Sequence, residues 1–240
     1  MAEKSRARED RVITDIRDQA KTENQRKADA RKKRTIAIVL WVLAIACEIA
    51  AIFLFKKLVV LWPCLLAIIV DAVLCIVAAQ FWKKANHIDP PAGKFWQNQF
   101  GAIMSVIAFA PLIVIFLLSK DVDPKSKKIA VIVAAIAAIA TMGASIDYNP
   151  VTIDDLNEAE LQALGYGGEC YWARYSKSYH FDPDCPTLLR SKEVFHGTIE
   201  QAFEEGRTDP CDFCAEGALA KQAGEAAQAG EALEAVEPAA

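Results

Sequence analysis

Several features are missing from this sequence, and each absence narrows what it can be. The first 34 residues are charged, with no apolar run to serve as a cleavable leader, so the first hydrophobic stretch is expected to act as an uncleaved anchor. There is no glycine-rich phosphate loop and no evident nucleophile–base pair. Hydrolase and kinase chemistry therefore have no support, and the chain is not expected to be an enzyme. Histidine is scarce, with three in 240 residues. A net charge of −4 hides an asymmetry: the segment before Thr35 is basic, whereas after Ile146 acids outnumber bases roughly three to one.

Apolar length is what the chain has in abundance. Of its residues 53% are hydrophobic, concentrated in four stretches at 35–55, 58–81, 100–118 and 129–146. Each approaches the roughly 20 residues an α-helix needs to cross a bilayer core of about 30 Å. Backbone amides in lipid must be satisfied within their own segment, so helices are the expected form. A buried soluble helical core is disfavoured by having four such runs. Between the second and third, Pro90-Pro91 and Gly93 break any helix. Trp82, Phe95 and Trp96 in that loop are expected at headgroup level, with His87 solvated.

Orientation follows from the basic residues. Arg26, Lys27, Arg31, Lys32, Lys33 and Arg34 abut the first stretch and favour the cytoplasmic side and anionic lipid. Lys120, Lys125, Lys127 and Lys128 argue the other way, but the first helix usually dominates. The expectation is a multi-pass plasma-membrane protein with both termini cytoplasmic. Residues 1–34 then form a solvated, partly helical arm, with Val12, Ile13, Ile16 and Ala20 as a thin apolar stripe.

Two acids, Glu48 and Asp71, fall inside the first two apolar stretches. An ionised carboxylate at the bilayer centre costs roughly 2.5–3.5 kcal/mol on insertion scales. One reading is a proton or ion site. The other, favoured because no Lys, Arg or His lies at similar depth, is a polar helix–helix contact in which two carboxyls share a proton. Cys47, Cys64 and Cys75 in the same stretches are read as small hydrophobes.

After Ile146 the composition changes. Residues 147–169 read as a linker carrying a short helix at 154–164, stopped by Gly165 and followed by the flexible glycines Gly167 and Gly168. A compact unit spans 170–215, and residues 216–240 form an Ala/Glu-rich acidic tail, frayed helix or disordered. The compact unit holds His180-x4-Cys185 and, further on, Cys211-x2-Cys214. A Cys-x2-Cys knuckle places two thiolates on one turn, and a second pair from elsewhere closes a tetrahedral site. Zinc is the default metal for such sulfur-rich ligands, and four protein ligands leave no open position, so the site is expected to be structural. Cys170 competes with His180 for the fourth position; His196 is read as an ordinary exposed residue. Residues 171–175 and 179–181 read as strands, and Thr198 with Gln201 as a capping box opening a short helix that Gly206 stops. The expected fold class is mainly α: a four-helix transmembrane bundle with a small α+β, zinc-ribbon-like C-terminal module.

The pattern Tyr179-His180-x4-Cys185-Pro186-x-Leu188, Gly197-Thr198 and Pro210-Cys211-x2-Cys214 resembles the Ada-like metal-binding domain, the zinc module of methyl-phosphotriester repair regulators and of many bacterial relatives. The resemblance covers about 45 residues and implies zinc held by His180, Cys185, Cys211 and Cys214. Repair proteins of that family use four cysteines and transfer a methyl group to one of them. His180 stands where one cysteine would be, which weakens the case for methyl-acceptor activity, and the acidic surroundings argue against a nucleic-acid partner. The expected role is partner binding or scaffolding at the membrane of a bacterial-type cell, the partners being lipids, another protein and a possible second copy of the chain. A transporter or channel component using Glu48 and Asp71 is the alternative, and a membrane-tethered methyl-transfer sensor the third reading.

Overall fold

A computed structural model describes residues 11–57, 61–93, 96–120 and 122–214. Residues 1–10 of the expected arm, Phe95 and the expected acidic tail at 216–240 lie outside the described residues. The chain divides into two compact units: Glu23–Thr152 is one, and the segment before Glu23 together with everything from Ile153 onward is the other.

The first unit contains α1 (Glu23–Lys57), α2 (Trp62–Ile88), α3 (Phe100–Leu118) and α4 (Pro124–Ser145). All four helices are long and apolar enough to cross a membrane. The third matches the sequence reading, but α1 and α2 run past their apolar stretches. Hydropathy sees only the lipid-suited part, whereas the Glu, Gln, Arg, Lys and Ala before Thr35 are good helix formers, and Glu23 pairs with Lys27 one turn on, at 2.5 Å. At its other end α2 continues through Trp82, so the aromatic loop expected from that residue onward begins later. The Trp82 ring stacks on Phe100 at 4.9 Å and meets Trp41 at 5.5 Å, and its Nε1 donates to the Gln97 carbonyl at 2.7 Å. His87 consequently sits in the last turn of α2, 3.6 Å from Asp147 Oδ2, rather than free in solvent.

Small residues bring the helices together, as lipid-embedded packing requires. Ala37, Ala44 and Ala51 of α1, Ala78 of α2, Ala108 of α3 and Ala134 of α4 are all in the buried core. At Gly101 an added Cβ would lie 2.8 Å from the Ala79 Cβ, so α3 approaches α2 more closely than any larger residue permits. Large apolar side chains such as Ile49, Leu66, Ile107 and Ile136 face outward instead, the inverse of a soluble helix.

The second unit is a five-stranded sheet. Its strands are β1 (Val12–Asp15), β2 (Glu169–Ala173), β3 (Ser178–His180), β4 (Glu193–Thr198) and the two-residue β5 (Asp209–Pro210), in the order β1-β4-β2-β3-β5. β2 is antiparallel to β3 and β4, while β1 joins β4 and β5 joins β3 in parallel. Helices α5 (Ile153–Leu164) and α6 (Ile199–Glu204) complete the unit. Trp172, Tyr179, Val194, Ile199 and Phe203 are fully buried and form its core. The capping box at Thr198 and Gln201 forms in both directions, and Gly206 has the positive φ of a helix stop, 76°. The sequence reading of residues 1–34 as a solvated, partly helical arm is corrected at Val12–Asp15, which form a strand, whereas from Glu23 the segment is helical. The run Val12-Ile13-Thr14 suits a strand, and its partner is Glu193–His196, far along the chain, where no local pattern reveals it.

Candidate metal centre

Four local structures deliver four side chains to one point. His180 is the last residue of β3. The next residues turn sharply: Asp182 Oδ1 accepts the Asp184 N–H at 2.9 Å and the Asp182 carbonyl accepts the Cys185 N–H at 3.2 Å, presenting the Cys185 thiol. Cys211 follows β5, and its N–H donates to the Tyr179 carbonyl at 3.0 Å, which sets it beside His180. The Cys214 N–H then donates to the Cys211 carbonyl at 2.9 Å, folding the knuckle back on itself.

The result is a buried group of His180, Cys185, Cys211 and Cys214 whose ligand atoms all lie within 4.8 Å of one another, an arrangement that could hold a metal ion. The fit can be tested on distances. A tetrahedron with metal–sulfur arms of about 2.3 Å has sulfur–sulfur edges of about 3.8 Å. Cys185 Sγ and Cys211 Sγ are 3.8 Å apart, and His180 Nδ1 is 3.8 Å from Cys214 Sγ.

The surroundings tune these donors. Burial pushes the Cys214 thiol up to about 12 and lowers His180, which keeps its imidazole in the neutral form a ligand needs. Burial acts on Cys185 in the same direction as on Cys214, but the Thr187 hydroxyl and backbone N–H offset it and hold Cys185 below its ordinary value. Thr187 Oγ1 lies 3.1 Å from Cys185 Sγ and 3.5 Å from Cys211 Sγ, placed to donate to either sulfur. Sequence reasoning missed Thr187; its position two residues after Cys185 was the available signal.

The other residues singled out in the sequence lie elsewhere. Cys170 is fully buried on β2, opposite Gly197, and is not among the four. His196 is not an exposed residue: it is 8% exposed, its Nε2 is 2.9 Å from Glu169 Oε2, and Tyr171 stacks on its ring at 4.4 Å. It stands on β4 beside β1, where Asp15 Oδ2 lies 3.6 Å from its Nδ1, but its close ring contacts come from β2. Glu48 and Asp71 are both buried inside the helical unit, with the Cys75 thiol 3.8 Å from Asp71 Oδ1. No protein-family model, curated protein or solved structure matches this chain.

Proposed function

We propose that this chain is an integral membrane protein whose cytoplasmic module is held by a structural zinc ion and recognises a partner protein beside the membrane. The observation that carries the reading is the buried quartet, its ligand atoms within 4.8 Å of one another and two of its separations at 3.8 Å. Zinc suits three thiolates and an imidazole, and four protein ligands leave the ion without an open position for substrate. His180, Cys185, Cys211 and Cys214 are the ligands, Thr187 supports two of the sulfurs, and the module belongs with Ada-like domains in its ligand order. The ion supplies binding free energy that fixes two loops; it does no chemistry.

Two recesses flank the centre and support a binding role. One of about 590 Å³ is lined by the hydroxyls of Ser176, Ser178, Thr187 and Ser191 beside Asp209. The other, about 340 Å³, is lined by Tyr166, Phe181, Pro183 and Pro186. Phe213, on the knuckle and 68% exposed, borders both. The pairing of β1 with β4 supports both ends of the chain lying on one side of the membrane, since four crossings return the chain to the side where it began.

The test is metal analysis of the full-length protein purified without added chelator. One zinc per chain, lost on substituting Cys211 or Cys214 by Ser, is the expected result; absence of stoichiometric metal in a folded preparation overturns it. One observation favours a second role for the helical unit. Asp71 Oδ2 is buried and makes no hydrogen bond among the described residues, which supports a proton or ion site there. Flux into liposomes that is abolished by Asp71→Asn supports that role, and absence of flux in the wild type removes it.

A further inference from the structure

The loop that presents Cys185 is also gripped by the N-terminal segment. The Arg11 guanidinium donates through Nη1 to the Pro183 carbonyl, and its Nη2 lies 3.6 Å from Asp184 Oδ1. That side chain is only 3% exposed. A cation so enclosed is tolerable only while its acceptors stay in place. Directly after Arg11, β1 adds to the edge of β4, and Gln201 Nε2 donates to the Ile16 carbonyl at 2.7 Å. Lys21 closes the segment with Glu204 at 2.8 Å, and α1 begins at Glu23.

Apolar burial does little to hold this segment. All four residues of β1 are exposed, Val12 by 63% and Ile13 by 43%. Its docking rests on one strand's hydrogen bonds, on polar anchors at either end and on the bonds of Ile16 to Gln201 and of Arg17 to Glu169, which places it among the less stable parts of the unit. The anchor at its start bonds to the backbone of the metal loop, two residues before a ligand.

We propose that residues 11–21 are the output strap of the metal centre, giving the chain a second function as a metal-responsive coupling element. This rests on the metal reading above. With Cys185 held as a ligand, the Pro183 carbonyl and the Asp184 carboxylate are fixed where Arg11 needs them, and the strap is docked. With Cys185 released, the loop keeps only its internal turn bonds, Arg11 loses its acceptors, and the strap detaches from β4. Because the strap runs without interruption into the first membrane-crossing helix, the state of the metal centre is passed to α1. By thermodynamic reciprocity, the docked strap must in turn tighten metal binding by the same factor.

The experiment uses full-length protein in detergent, with one equivalent of zinc or with excess chelator, and hydrogen exchange read by mass spectrometry. Chelation is expected to speed exchange of the amides at 12–16 about tenfold, within the usual range for coupled sites, while β2 and β4 stay protected by Trp172, Val194, Ile199 and Phe203. Arg11→Ala in the zinc-loaded protein should produce the same acceleration without chelator and weaken zinc binding by a similar factor; Asp184→Asn should do so to a smaller extent. Unchanged exchange at 12–16 on chelation overturns the proposal. So does an equal acceleration in β2, β3 and β4, because the metal then holds the whole fold rather than the strap. Wild-type exchange and wild-type zinc affinity in Arg11→Ala overturn it as well. Metal content separates the two levels: no bound zinc defeats the reading of the centre itself, whereas bound zinc with an indifferent strap defeats only the coupling.

Discussion

Replacing His180 by Ala tests the composition of the metal centre most directly. His180 ends β3, where Tyr171 on β2 faces it across the ladder. Alanine preserves that backbone pairing, so the loss is confined to the imidazole. Structural zinc in small fingers is worth on the order of 10–16 kcal/mol at neutral pH. Shared over four ligands that is about 2.5–4 kcal/mol each, and at 1.4 kcal/mol per decade it predicts roughly 60- to 700-fold weaker zinc binding. The buried ring also leaves a gap beside Cys214, which adds to the cost in protein stability and not to the affinity. The assay is competition for zinc against a chromophoric chelator, with the full chain in detergent. Cys170→Ser is the paired control. That thiol is buried on β2 outside the quartet, so its loss should leave zinc affinity within about twofold while costing about 1–3 kcal/mol of stability through a poorly satisfied hydroxyl. The reverse outcome, a severe effect at Cys170 and a mild one at His180, refutes the assignment. It would restore a four-sulfur centre and make methyl-acceptor chemistry worth testing.

Other expectations follow from particular contacts. Gly197→Ala should destabilise the second unit by about 1–3 kcal/mol in chemical denaturation, because the added Cβ would lie 2.7 Å from Trp172 Cη2 and 2.6 Å from Gln201 Oε1; a neutral result means that Trp172 can shift, contrary to its burial. Acid should release the N-terminal strand ahead of the rest of the sheet. A side-chain hydrogen bond from Arg17 holds the Asp15 carboxyl at about 2, and Arg17 and then His196 hold Glu169 below the usual carboxylate range. Both values are depressed by folding, so the contribution is present above the unfolded carboxylate pKa near 4 and is lost as pH falls toward about 2. Protection factors at residues 12–16, followed over that window in wild type and in Asp15→Asn, check this; an identical acid profile in both counts against the pair. Finally, cysteine labelling at Ser5 and at Ala240 should fail from outside intact cells, and labelling of either end from outside overturns the proposed orientation.

How legible the protein was in its sequence depends on the range over which each feature is encoded. The third helix matched because residues 100–118 are apolar to both ends, bounded by a glycine-containing loop and by Ser119. The capping box and the Cys-x2-Cys knuckle were legible because each is written within four residues. His180 ends β3 and Cys185 ends the turn directly after it, so their spacing was also informative. What failed was pairing at long range. Val12, Ile13 and Ile16 fit a helical stripe as well as a strand, and only β4 decides between them. His196 looked exposed because the residues around it, Tyr171 and Glu169 of β2 and Asp15 of β1, lie on other strands. Trp82 looked like an interfacial anchor because its partners, Trp41 and Phe100, belong to two other helices.

The pairing of β1 with β4 also bears on how the protein is made and how it can be cut. Viewed from the sheet, the four membrane-suited helices are an insertion between its first strand and its second. β1 leaves the ribosome about 180 residues before the strand it must join. At roughly 5–20 residues per second the wait is about 10–40 s, during which all four helices are synthesised and the β1 edge is unpaired. The sheet is therefore among the last parts of the chain to close. A truncation that begins at Ile153 does not isolate the second unit; it leaves β4 as a bare edge with Glu193–His196 unpaired. A version that keeps the sheet whole would instead join Thr22 to Ile153 through a linker, removing the helices and retaining the strand.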